Sequence, residues 1–285
     1  MLILLPSSCS CIPNIIALPL LDYKRLRICI QVLITFLRAF HLLTMLSFLH
    51  PTTILISGPT QCGKTYFFKQ ILAHKLIQPP PSRIIYVNSE RPAELSEFPN
   101  IEFIQGISKL VETYETIDPK ERNLIVIDDQ MGEAGSHPLI GSLFTKNSHH
   151  KNITVIYIVQ NLFDKGRHHR TISLNSHYLV LFKNPRDQGQ VRALAQQVFP
   201  TNVKYLLDAF QDATRSKYGY LFLDCHPHTP TELRVRGNIF QNDEIDIYLQ
   251  GEAEIPPVEK VFQLGDEGYI NPGEKPEKDA HFSTD

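Results

Sequence analysis

Gly58, Pro59, Thr60, Gln61, Cys62, Gly63, Lys64 and Thr65 match the pattern G-x-x-x-x-G-K-[ST] at every position. A loop of this kind turns its backbone N–H groups toward phosphate oxygens, with the lysine on the β- and γ-phosphates and the threonine hydroxyl on Mg²⁺. The chemistry it serves is binding of a nucleotide with Mg²⁺. A second set of groups closes the run Asn123-Leu124-Ile125-Val126-Ile127-Asp128-Asp129. Four apolar residues ending in a carboxylate describe a buried strand that delivers an acid to the C-terminal edge of a sheet, where ligands of open α/β sheets bind. Asp128 is expected to hold Mg²⁺ through water, opposite Thr65. Asp129, one residue on, is placed to orient or polarise an attacking water. An exposed acidic turn has the same sequence, and only the phosphate loop upstream favours the site. Gln160 ends a third apolar run, where an amide can sense the γ-phosphate or the attacking water. A strand-capping amide that touches only backbone fits the position equally well.

These groups need a scaffold, and the hydrophobic pattern supplies one. Thr53 to Ser57 reads as a short buried strand before the loop, and Phe67, Phe68, Ile71, Leu72 and Leu76 recur with helical period after it. Backbone N–H groups of the loop and of the helix N-terminus then converge on the phosphates. Further strands are expected at 83–87, 101–104, 124–127, 153–159, 177–182 and 218–223, with a helix near 107–117. Asp187 with Gln190 reads as a capping box opening a helix through Val198, and a last helix runs from Thr201 past Phe210. Continuous apolar runs separated by helices indicate strands buried on both faces of a mainly parallel sheet. The fold class is α/β, a P-loop NTPase of the ASCE/RecA-like kind.

The chain has 285 residues and a formal net charge of −2. From Gly251 onward nine acidic residues face Lys260, Lys275 and Lys278, so residues 251–285 carry −6 and the rest +4. The expected organisation is an apolar N-terminal appendage over 1–44, an ATPase domain over 45–250 and an acidic, flexible tail over 251–285. Met45 is a candidate initiator. The apolar run 26–49 is long enough to span a bilayer, but Arg27, Arg38 and His41 interrupt it, which argues against a membrane anchor. The five cysteines form no disulfide framework, and Cys62 inside the phosphate loop favours a reducing, intracellular location over secretion. The adjacent pairs His149-His150 and His168-His169 lack the i, i+4 spacing of a zinc-binding helix and read as polar loop or phosphate-contact residues.

Four stretches carry a family likeness: Gly58 to Thr65, Ile125 to Gln130, Leu143-Phe144-Thr145-Lys146-Asn147-Ser148-His149-His150 through Val159-Gln160-Asn161-Leu162-Phe163, and Leu181-Phe182-Lys183-Asn184-Pro185-Arg186-Asp187. Together they resemble the genome-packaging ATPases of the FtsK/HerA superfamily, in the version carried by adintoviruses, polinton (Maverick) elements and, more distantly, poxvirus-type large DNA viruses. The likeness spans about Phe48 to Phe240 and leaves both termini unmatched. It implies an ATP-driven motor, a homo-oligomeric ring that threads double-stranded DNA into a capsid, in the host nucleus or a viral factory. On that resemblance Asp128 and Asp129 fill the metal and catalytic carboxylate positions, and Gln160 is the strand-end sensor. Many superfamily members carry Glu at the Asp129 position. A ring ATPase of this kind also needs an arginine that reaches the neighbouring subunit's γ-phosphate. Arg170 is the first candidate and Arg186 the second. Two other classes fit the phosphate loop alone: a small-molecule kinase and a non-catalytic nucleotide-binding partner protein. A GTPase is disfavoured because no Asn-Lys-x-Asp motif is present.

Overall fold

The computed structural model describes residues 47–128, 135–163, 166–240 and 245–250. The expectations for residues 1–44, Met45, Asp129 and the tail 251–285 lie outside these residues. In chain order the elements are β1 (Phe48–Leu49), β2 (Thr53–Ser57), α1 (Lys64–Ala73), β3 (Ile77–Gln78), β4 (Arg83–Val87), β5 (Ile101–Ile104), α2 (Gly106–Glu115) and β6 (Asn123–Asp128). There follow α3 (Pro138–Ser142), a π-helical turn (Leu143–Asn147), α4 (Ser148–His150), β7 (Ile153–Val159), α5 (His169–Leu174), β8 (Tyr178–Phe182), α6 (Gly189–Val198), α7 (Val203–Ala213), β9 (Tyr220–Asp224), β10 (Val235–Gly237) and β11 (Asp246–Ile247).

The main sheet runs β11-β10-β9-β8-β2-β7-β6-β4-β5. The six strands from β8 to β5 are parallel, and β9 to β11 add an antiparallel edge. The strand that feeds the phosphate loop, β2, is separated by β7 from the carboxylate strand β6. Side chains alternate between two cores, as a pleated strand requires. Ile54, Ile56, Ile84, Tyr86, Leu124, Val126, Ile156 and Ile158 pack with Phe67, Phe68 and Ile71 of α1 on one face. Leu55, Ile85, Val87, Ile125, Ile127, Val155 and Tyr157 pack with α2, α6 and α7 on the other. This is why these strands read as unbroken apolar runs.

Four sequence expectations shift. The helix after the phosphate loop stops at Ala73, because Lys75 turns left-handed (φ +52°), with Leu76 N–H on Ile71 O at 3.0 Å and Lys75 N–H on Leu72 O at 3.1 Å. Those two bonds close a Schellman cap, and Leu76 packs against the core after the reversal. Asp187 and Gln190 do not form a capping box. Gln190 donates its amide to the Asp187 carboxylate, and its Oε1 accepts from Leu162 N–H at 2.6 Å, tying the start of α6 to the loop after β7. The last helix begins at Val203 rather than Thr201, capped by the Asn202 side chain, which accepts from Tyr205 N–H at 3.2 Å. The strand expected from Tyr218 begins at Tyr220, because Tyr218 has φ +63° and cannot extend a strand.

Candidate functional site

The register of the parallel strands decides what meets at the sheet edge. Ser57 pairs with Val159 on one side and Leu181 on the other, and Ile158 pairs with Asp128. The C-terminal ends of β2, β7 and β6 are therefore level, and the residues that follow them emerge side by side. Gly58, Gln160 and Asp128 share that edge by construction. Along β6, Leu124 and Val126 point into the core under α1, so by the two-residue period Asp128 points to the same side, toward the helix that starts at Lys64.

The loop itself has little freedom. A Cβ on Gly58 would lie 2.6 Å from the Cβ of Phe182 and 2.7 Å from the Sγ of Cys62, so no side chain fits there. Gln61 (φ +63°) and Gly63 (φ +106°) are both left-handed. Turns of this sort gather successive N–H groups into an anion-binding concavity, and Gly63 hands directly into the first turn of α1. Lys64 Nζ donates to the carbonyls of Gly58 at 2.7 Å and Pro59 at 2.8 Å, which holds the ammonium over the loop. Burial pushes the Cys62 thiol up, with Lys64 acting the other way, and Cys62 packs against the core under α1.

Lys64, Thr65, Asp128 and Gln160 line one cleft of about 690 Å³. With Thr60, Gln61 and Gly63, which line it too, the cleft brings together seven of the sequence-predicted site residues. Asp128 is 7% exposed, and its Oδ2 accepts a hydrogen bond from the Tyr86 hydroxyl. Burial, reinforced by the Asp128 charge, pushes the Tyr86 hydroxyl far above its ordinary range, so it remains a donor at neutral pH. Sequence reasoning missed Tyr86; the signal was a tyrosine near the end of an otherwise aliphatic strand. It also missed Asn88, Glu94, Tyr66 and Tyr218, which line the same cleft. Glu94 brings a second carboxylate, on a 3₁₀ turn that no local pattern announced. A triphosphate with Mg²⁺ fits this donor set: an N–H concavity, an ammonium, a hydroxyl and a buried carboxylate oriented by a neutral donor.

Asp129 lies outside the described residues. Arg170 sits on α5 and Arg186 follows β8; both are exposed and neither lines the cleft. His169 is a correction to its reading as a polar loop residue: it is 3% exposed, with its ring 5.9 Å from that of Tyr157. The His149 ring meets that of His177 edge-on, and His177 meets His226 in the same way, at 6.0 and 5.2 Å between ring centroids. Among the described residues no group of three His, Cys, Asp or Glu is arranged to hold a metal ion. Nor, among them, is any helix long and apolar enough to cross a membrane.

The edge-on phosphate loop, the separated carboxylate strand and the helices on both faces define a P-loop NTPase fold. The AAA domain family model matches residues 50–207, and the chain belongs to that family. No curated protein matches it. Among solved structures, it is similar to the genome packaging NTPase B204 from Sulfolobus turreted icosahedral virus 2 in complex with sulfate, at 15% identity and a TM-score of 0.46, covering 63% of this chain and 94% of that one. The DNA-packaging ATPase B204 from Sulfolobus turreted icosahedral virus matches at 16% identity and a TM-score of 0.43, covering 61% and 93%. EssC (ATPases 2 and 3) from Geobacillus thermodenitrificans matches at 10% identity and a TM-score of 0.33, covering 45% and 31%.

Proposed function

We propose that this chain is an ATP-hydrolysing motor that moves double-stranded DNA, working as a homo-oligomeric ring in the packaging of a viral or transposon genome into a capsid. The observation that carries the hydrolytic part is the single cleft lined by Lys64, Thr65, Asp128 and Gln160. Lys64 binds the β- and γ-phosphates from its position over the loop, and the N–H groups around Gly63 cradle them. Thr65 and Asp128 hold Mg²⁺, Asp128 being kept in place by the Tyr86 hydroxyl. Mg²⁺ held by these two residues would supply neutralisation of the phosphate charge. Gln160 positions the attacking water, and Asp129 takes its proton. Arg170, or failing it Arg186, completes the charge stabilisation from the neighbouring subunit.

The DNA and ring parts rest on the motif likeness over Leu143 to Phe163 and Leu181 to Asp187. Measuring ATP turnover with and without double-stranded DNA tests the reading. Stimulation by DNA supports the motor. Turnover that requires a small acceptor makes the chain a kinase, and binding without turnover makes it a nucleotide-binding partner protein.

A further inference from the structure

We propose that Tyr218 is the platform on which the base of the bound nucleotide stacks. The inference rests on the nucleotide reading of the phosphate loop and extends it to the half of the ligand that the loop does not touch. Asp128 and Gln160 mark the γ-phosphate end of the cleft, so the phosphate chain must leave in the opposite direction, across the loop. Tyr218 stands at that exit. It lines the phosphate cleft and also a second cleft of about 600 Å³, shared with Gln61, Cys62, Lys183 and Lys217, which contains neither Asp128 nor Gln160. A nucleotide whose phosphates occupy the first cleft has room for its base in the second, with Tyr218 between.

The ring is built into this place. Tyr218 is a non-glycine residue at φ +63°, a conformation that costs energy and persists only where its surroundings hold it. Those surroundings are tight: a Cβ on Gly219 would lie 2.4 Å from Ala213 O, and Gly219 N–H bonds Ser216 O at 3.1 Å. On the other side, a Cβ on Gly63 would lie 3.2 Å from Tyr218 Cδ1, so the ring edge rests on the phosphate loop itself. Despite that contact Tyr218 is 53% exposed. Lys217 Nζ lies 4.9 Å from the ring centroid, a contact that a mobile lysine can keep on one face while a base takes the other. Aromatic stacking on a base is strong and tolerant of base identity, so the site is expected to prefer nucleotides over bare phosphate chains while discriminating weakly between ATP and GTP.

The test compares binding of ATP and of inorganic tripolyphosphate, both with Mg²⁺, to the full chain by calorimetry. Tyr218→Asn is the informative variant, because asparagine tolerates the left-handed backbone; Tyr218→Phe keeps the ring. The expected result is that Tyr218→Asn binds ATP roughly tenfold or more weakly and Tyr218→Phe binds it as wild type does. Tripolyphosphate should bind all three alike, which also shows that the phosphate loop is folded in each. Unchanged ATP affinity in Tyr218→Asn overturns the proposal, as does an equal loss for tripolyphosphate, which would make Tyr218 a support of the loop. A loss produced instead by Tyr66→Ala, the other exposed aromatic of the cleft, reassigns the platform. If the wild-type chain binds neither ligand, the phosphate-site reading falls, and this inference falls with it.

Discussion

Lys64 spends two of its N–H donors on carbonyls of its own loop. An ammonium has three, so the contacts that fix its position still leave a donor for a phosphate oxygen. Asp128 takes a hydroxyl donor from the neighbouring strand. Tyr86 and Asp128 lie on adjacent strands and face the same core, and the bond between them orients one carboxylate oxygen. Partners of this kind commonly change metal affinity by 10–100-fold when removed. In Tyr86→Phe we expect the Mg²⁺ concentration for half-maximal turnover to rise about tenfold, with metal-free ATP binding unchanged. A titration of activity against Mg²⁺ checks it, and equal Mg²⁺ requirements would mean that Asp128 is held by other contacts.

At the scale of elements, the phosphate edge and the opposite edge of the sheet behave differently. The N-terminal ends of β7 and β8 collect histidines: His177, whose Nδ1 lies 2.9 Å from Thr52 Oγ1, faces His149 and His226. Burial and the two neighbouring imidazoles push His177 from the ordinary 6.5 down to about 4. The folded chain therefore binds fewer protons at this site than the unfolded chain between those values. Stability from the neutral imidazole is complete above pH 6.5 and drains as pH falls toward 4. The thermal midpoint should drop between pH 7 and pH 5, and His177→Asn should make the drop shallower; identical slopes would show that another group controls it. The same elements show what the sequence could convey. Strands β2, β4, β5 and β7 were legible to the residue, because each is an apolar run bounded by turn chemistry. Strands β10 and β11 were not: they are two or three residues long, and β10 contains Arg236, a buried charge paired with Asp224 of β9. Tyr86, Glu94 and Tyr218 escaped for a related reason. Their roles come from which strand lies beside which and from one left-handed residue, and neither is a property of local sequence.

At the scale of the whole molecule, the arginine and the ring remain to be tested together. Subunits with Arg170→Ala keep an intact phosphate loop, and subunits with Lys64→Ala keep an intact arginine, so mixed rings contain some interfaces with both. Each variant alone should be inactive, a bridging arginine being worth on the order of 10³ or more in rate. Mixing should restore part of the ATPase activity. Rings shown to be mixed that stay inactive would remove Arg170 from the role and pass it to Arg186. Persistent basal turnover in Arg170→Ala, with weaker and more salt-sensitive DNA binding, would instead make it a phosphate contact. Translocation itself is the central claim, and displacement of a triplex-forming strand from double-stranded DNA measures it most directly. The wild-type chain should release the third strand with ATP and Mg²⁺ and fail to do so with a non-hydrolysable analogue or as Lys64→Ala. DNA-stimulated hydrolysis with no release, or release that survives Lys64→Ala, would contradict the account.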